Sequence, residues 1–145
     1  MVINMKKISI FFVIVIAILS GVWYLYSVNK ISVNEKIANN SYYEKYLNKE
    51  VSGTEIATII NKIENNNNKN HVEKDNNGLF VDNKENSIIM TFTFKDTDSV
   101  IHFEKIFENG TDKFIELYSA SKFKCDKIEY HDSSKKVKSI HFAEI

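Results

Sequence analysis

The sequence predicts an α+β protein: an N-terminal transmembrane helix, then a small domain with an antiparallel four-stranded sheet and helices on one face. Three observations predict it. An uncharged apolar run extends from Ile8 to Tyr26. Ile56, Ile59, Ile60 and Ile63 then recur at the spacing of one helical stripe. Beyond them, short segments alternate apolar and polar residues between clusters of turn formers. The expected order is helix, helix, strand, strand, helix, strand, strand.

The apolar run has the length of a bilayer span, which takes about 20 residues. Met5-Lys6-Lys7 precedes it, and Trp23, Tyr24 and Tyr26 mark its far end, where amphipathic rings favour the interface. Lysines before the span and the mixed flank Lys30, Glu35 and Lys36 predict a cytoplasmic N terminus and an outside domain. A cleaved signal peptide is the competing reading. Its apolar region would be roughly 7–15 residues and would end in an A-x-A-like site. Here the run is longer, and its exit, Leu19-Ser20-Gly21-Val22-Trp23, offers no good small-x-small pair. No lipobox cysteine follows, so the uncleaved anchor is preferred. The organisation expected is a cytoplasmic N terminus (1–7), an anchor (8–26), a stalk and juxtamembrane helix (27–50) and an extracytoplasmic α+β domain (51–145).

After the anchor, residues 28–47 read as a short stalk leading into helix, with Tyr43, Tyr46 and Leu47 on one packing face. Val51-Ser52-Gly53-Thr54-Glu55-Ile56 is the clearest local signal. Ser52 and Glu55 form a capping box, and Val51 with Ile56 takes the positions of a hydrophobic staple. The isoleucine stripe follows, and the polar run Asn65 to Asn68 is expected to end the helix in exposed loop.

Strands come next. Ser87 to Phe94 points Ile88, Met90, Phe92 and Phe94 one way and Ile89, Thr91 and Thr93 the other. Lys95-Asp96-Thr97-Asp98 is a turn cluster, and Val100 to Phe107 reads as a second strand ended by Asn109-Gly110. Thr111 to Ala120 is expected to be a short helix with Thr111 as N-cap, Asp112 in its first turn and Phe114, Leu117 and Tyr118 on one side. Phe123 to Tyr130 and Val137 to Phe142 form the last hairpin around Asp132-Ser133-Ser134. Phe123 and Cys125 are out of phase with Ile128 and Tyr130, which predicts a bulge near Asp126-Lys127.

Composition narrows the function. Formal charge is zero, with 19 basic and 19 acidic residues, so nothing draws the whole chain towards nucleic acid. All the basic residues are lysine, and the lack of arginine lowers the odds of a bidentate phosphate site. Abundant Asn, Lys and Ile reflect AT-rich codons. Cys125 is the only cysteine, which excludes an intramolecular disulfide and a zinc site built on cysteine pairs.

Each tempting motif has a plainer reading. Laid on a calcium loop, residues 73–84 put Asp75, Asn77 and Gly78 at matching positions. Glu73 stands at the first position, however, and Lys84 replaces the closing bidentate carboxylate, so an Asn/Gly turn is preferred. Among the 4 histidines, His131 and His141 share the last hairpin but lie ~13 Å apart at ~3.3 Å per residue. With His71 and His102 they are expected at the surface. Gly21, Gly53, Gly78 and Gly110 form no phosphate-binding motif. Cys125 reads as a small buried hydrophobe rather than a nucleophile. Lys122, Lys124, Lys127, Lys135, Lys136 and Lys138 make either a solvated sheet face or a contact to anionic lipid or envelope polymer. No catalytic, cofactor-binding or metal-ligating residue is therefore assigned.

The anchor, the Tyr-rich segment, Val51-Ser52-Gly53-Thr54-Glu55-Ile56 and Phe123-Lys124-Cys125…Ile128-Glu129-Tyr130-His131 resemble short membrane-anchored proteins of low-GC Gram-positive bacteria. The resemblance implies architecture and an envelope location and brings no activity. Type IV pilins pair an apolar helix with a β-rich head, but their Gly-Phe-Thr-Leu-x-x-x-Glu motif is missing here. The function expected first is a non-catalytic extracytoplasmic module, held by the bilayer through Ile8 to Tyr26 and binding an envelope protein or polymer. A structural subunit of a pilus-like or secretion assembly comes second, and an enzyme third.

Overall fold

The computed structural model describes residues 5–97 and 99–145. Residues 1–4 of the expected cytoplasmic N terminus, and Asp98 of the expected turn, lie outside that description. Contacts divide the chain into two compact units, the first ending at Glu35 and the second Lys36–Ile145. Helix α1 (Met5–Glu44) continues through the residues that read as a stalk. It is the one described helix long and apolar enough to cross a membrane. Phe12, Ile16, Trp23 and Tyr26 stand exposed along it, so no protein core covers this stretch.

In the second unit, α1 ends at Glu44, and in the turn that follows Asn48 takes φ 60° and its N–H donates to the Cys125 carbonyl at 2.8 Å. Strand β1 (Glu50–Ser52) leads directly into α2 (Gly53–Lys69). Ser52 Oγ accepts the Glu55 N–H at 3.3 Å, and Val51 and Ile56 are both buried, as the capping signature predicts. Ile56, Ile59, Ile60 and Ile63 are fully buried.

After a long loop come β2 (Ile89–Thr93) and β3 (Val100–His102), then α3 (Phe103–Asn109) and α4 (Thr111–Tyr118). Strands β4 (Lys122–Tyr130) and β5 (Val137–Glu144) close the chain. The sheet has five strands in the order β1-β4-β5-β2-β3. The β1–β4, β4–β5 and β2–β3 pairs are antiparallel, and β2 runs parallel to β5, with Phe92 beside Phe142.

This corrects the expected four-stranded antiparallel sheet. Alternation fixes the face a residue takes but not which strand lies beside it or in which direction. The 3-residue β1 is too short to alternate visibly. The expected strand over Val100 to Phe107 stops after His102 because Phe103, Ile106 and Phe107 stand at i, i+3 and i+4, a helical spacing that wins. Thr111 opens α4 instead of capping it, and Gly110 at φ 91° holds the cap position. The register of β4 shifts between Cys125 and Lys127, where its phase change predicts a bulge.

Phe92 centres the core, with Phe94, Phe114, Phe123 and Phe142 at ring separations of 6.0–6.3 Å. Phe114 comes from α4, and α2 touches β2 and β4, so these helices cover the Phe92 face. Tyr43 and Tyr46 are buried in the same core, Tyr46 against Phe142. The other face presents Thr91, Thr93 and His141, whose ring nitrogens lie 2.9 Å from Thr91 Oγ1 and 3.3 Å from Thr93 Oγ1.

Candidate functional site: a groove between two short helices

The chain bends sharply at Gly110, whose φ of 91° suits a residue without a Cβ. Helices α3 and α4 follow each other directly across it, and a solvent-open cleft is lined by both. Phe94, just after β2, and Ile101, in the middle of β3, line it together with Ile106 of α3 and Phe114, Leu117 and Tyr118 of α4. Lys105, Asn109 and Lys113 supply its polar lining beside Gly110. Its volume is about 410 Å³, within the range of small-molecule pockets.

Two features separate this cleft from an ordinary seam. Leu117 lines it yet is 74% exposed, although it shares a helix face with the buried Phe114. The two lysines differ as well. Lys105 Nζ donates to the Asn77 carbonyl at 2.9 Å and pairs with Glu108 at 3.2 Å, whereas Lys113 has no ion pair or hydrogen bond among the described residues. Among the described residues no carboxylate lines the cleft. Sequence reasoning placed Phe114, Leu117 and Tyr118 on one helix face but missed the cleft, because Ile101 to Ile106 read as strand. The helical spacing of Phe103, Ile106 and Phe107 was the available signal.

The residues weighed for other chemistry fall elsewhere. Asp75 Oδ1 accepts the N–H groups of Asn77 at 2.8 Å and Leu79 at 2.9 Å, and Gly78 has φ 77°. The Leu79 bond first, then the Asn77 bond, outweighs desolvation and holds the Asp75 carboxyl below its usual range. Residues 73–81 are thus an Asx turn closed by backbone bonds, as the Asn/Gly reading expects.

His71 is exposed and His102 and His141 are half-buried, but His131 is only 2% exposed, which corrects its expected surface position. Its Nε2 donates to the Ser87 carbonyl at 2.7 Å. Nδ1 lies 3.4 Å from Asp82 Oδ1 without hydrogen-bond alignment. Asp82 Oδ1 also takes the Ser87 hydroxyl at 3.1 Å and the Lys84 N–H at 2.7 Å, and Oδ2 meets Lys138 at 3.0 Å. Burial raises the Asp82 carboxyl, but these partners together hold it below its usual range. Ser, His and Asp meet here, yet no base faces the hydroxyl as acyl transfer requires. The group instead clamps residues 82–87 to the β4–β5 turn.

A second buried polar group surrounds Phe80. Glu104 Oε1 accepts the Phe80 N–H at 2.9 Å, and Lys74 lies 4.3 Å from the Phe80 ring centre and 3.2 Å from Glu64. Glu64 Oε2 and Glu104 Oε2 are buried without a hydrogen bond among the described residues. Burial pushes the Glu104 carboxyl up, against the Phe80 bond and the charges of His102 and Lys74. Among the described residues no group of three His, Cys, Asp or Glu side chains could hold a metal ion.

Cys125 is fully buried, and burial pushes its thiol up to about 11. Two lysines of the last hairpin are neutralised, Lys127 by Glu129 at 2.8 Å and Lys138 by Asp82, and Lys136 donates to the Asn86 amide oxygen at 2.8 Å. That pairing supports the solvated-face reading. No family model, curated protein or solved structure matches this chain.

Proposed function

We propose that this protein is a non-catalytic, membrane-anchored binding module of the cell envelope, and that the α3–α4 cleft is its binding surface. The observation that carries the reading is the apolar cleft itself, with an exposed leucine at its mouth. Core-forming side chains line a space that no described residue of the second unit fills, and a ligand would remove them from water. The two buried polar groups favour binding over catalysis, since each ties a loop to the core.

In this reading α1 crosses the bilayer through Ile8 to Tyr26, with the lysine-flanked N terminus in the cytoplasm and the head outside. The resemblance to anchored envelope proteins of low-GC Gram-positive bacteria agrees with that placement. Two measurements test it. An impermeant protease added to intact protoplasts should remove a C-terminal tag; a protected tag with the membrane sealed overturns the orientation. For the cleft, the full chain in phosphatidylcholine nanodiscs would carry labelled Ile and Leu methyls and be titrated with octanol. Saturable shifts at Ile101, Ile106 and Leu117 are expected. Unshifted methyls there would remove the cleft as a binding surface.

A further inference from the structure

The geometry points to a ligand class: we infer that the α3–α4 cleft binds a single-chain amphiphile whose apolar tail ends in one carboxylate. This rests on the binding-module reading and adds the chemistry of the ligand to it. Size comes first. At about 410 Å³ the cleft lies within the range of small-ligand pockets, about 300–1,000 Å³. The apolar part follows from Phe94, Ile101, Ile106, Phe114, Leu117 and Tyr118, which would surround a hydrocarbon tail.

The charge follows from the two lysines. An apolar ligand needs no cation, yet among the described residues both charged groups of the lining are lysines. Lys105 is already shared between Glu108 and the Asn77 carbonyl. That leaves one uncompensated positive charge, on Lys113, which a single carboxylate balances and a doubly charged phosphate would exceed. Because Lys113 is exposed, its ammonium keeps its water until the ligand arrives, and its contribution is that of a surface ion pair.

The test uses the full chain in phosphatidylcholine nanodiscs with the same methyl labels, titrated separately with octanol, octanoate and octyl phosphate, each referred to its free aqueous concentration. Octanoate should bind about fivefold tighter than octanol at low salt. Lys113→Gln should erase that preference, so that octanoate and octanol bind the variant equally, and added salt should shrink it in the native chain. Equal affinities for octanoate and octanol would overturn the anionic ligand and leave the binding module standing. Tighter binding of octyl phosphate than of octanoate would overturn the single carboxylate. Shifts of the same methyls on raising the number of chains per disc, without any probe, would assign the cleft to a second copy and overturn the inference. Silence of these methyls towards all three probes would overturn both the inference and the cleft's role in the module.

Discussion

Asn67 is bonded to the backbone of Ile88 through both ends of its amide. Its Nδ2 donates to the Ile88 carbonyl at 2.8 Å, and its Oδ1 accepts the Ile88 N–H at 2.9 Å. A side chain thus stands where a neighbouring strand would, satisfying a residue just ahead of β2. Both Asn67 and Ile88 are fully buried, so water cannot replace the amide.

The expected consequence is a large stability loss in Asn67→Ala. Two buried backbone groups would be left without partners, each costing about 1–3 kcal/mol. The control is Asn65→Ala, two residues away on the exposed side of the same run. Denaturant unfolding of the full chain in nanodiscs should show the Asn67 variant weakened by roughly 2–5 kcal/mol and the Asn65 variant within about 0.5 kcal/mol of native. Equal midpoints for the two variants would mean that the amide does not hold β2.

This pair also shows where the sequence stops being legible. Asn65 to Asn68 looks like an exposed helix end, because four polar residues in a row carry no apolar period. The structure shows that α2 continues to Lys69, which puts Asn67 one turn on from the buried Ile63 and so facing the core. Helix α2 and its cap were legible because Ser52, Glu55 and the isoleucines are local cues that agree. The parallel pairing of β2 with β5 was not, since it joins Phe92 to Phe142 across fifty residues with no local mark. The cleft stayed hidden for the same reason, being built from Phe94, β3, α3 and α4 together.

Gly53 makes a second prediction. A Cβ added there would lie 2.0 Å from the Tyr118 carbonyl oxygen and 2.6 Å from its carbon. These are backbone atoms, so the end of α4 would have to move. In an open helix Gly→Ala gains up to about 1 kcal/mol. Overpacking of about 1–3 kcal/mol outweighs it here, because no flexible side chain can give way. Gly53→Ala should therefore lower the unfolding midpoint. Gly21→Ala, with nothing within 4 Å of the new atom, should leave it unchanged. A stabilised Gly53→Ala chain would show that α2 and α4 do not approach this closely.

The raised carboxyl of Glu104 gives a pH dependence whose sign can be worked out. Burial favours its neutral form in the folded chain, so the folded state holds this proton more tightly than the unfolded state. Between the ordinary glutamate value and the raised folded value, the folded state then binds more protons. Stability from this group must fall as pH rises through that window, and recover as pH drops. Asp75, Asp82 and Glu129 are shifted down and act in the opposite sense, losing stability at acid pH. Comparing the native chain with Glu104→Gln isolates the effect, since the amide oxygen can still accept the Phe80 N–H. The variant should gain on the native chain as pH is raised from about 4 towards neutral, measured by denaturant unfolding at each pH. A constant difference across that range would mean that Glu104 titrates as an ordinary surface carboxylate.

Cys125 bears most directly on whether the head is a module or an enzyme. A nucleophilic cysteine needs a thiolate near neutral pH, and therefore a partly exposed sulfur beside a cation or a helix N terminus. Cys125 has neither: it is fully buried opposite Phe142, with its Sγ 3.9 Å from the Lys127 carbonyl. Desolvation raises the thiol to about 11, a hydrogen bond with the Lys127 backbone lowers it only in part, and the Asp126 charge raises it further. At pH 7 only about one sulfur in ten thousand would then be ionised, and the core would shield even that fraction. A maleimide added to the folded chain in nanodiscs at pH 7 should label Cys125 slowly, at a rate set by local opening of the β4–β5 pair. In denaturant, labelling should go to completion at the rate of a free thiol. Cys125→Ala should bind octanol in the cleft as the native chain does, because the residue lies outside the cleft lining. Rapid labelling of the folded chain, with a rate that rises around pH 6–7 as thiolate forms, would mean that the sulfur is both reachable and activated. Cys125 would then be the leading candidate for a nucleophile, and the non-catalytic reading of the head would have to be given up.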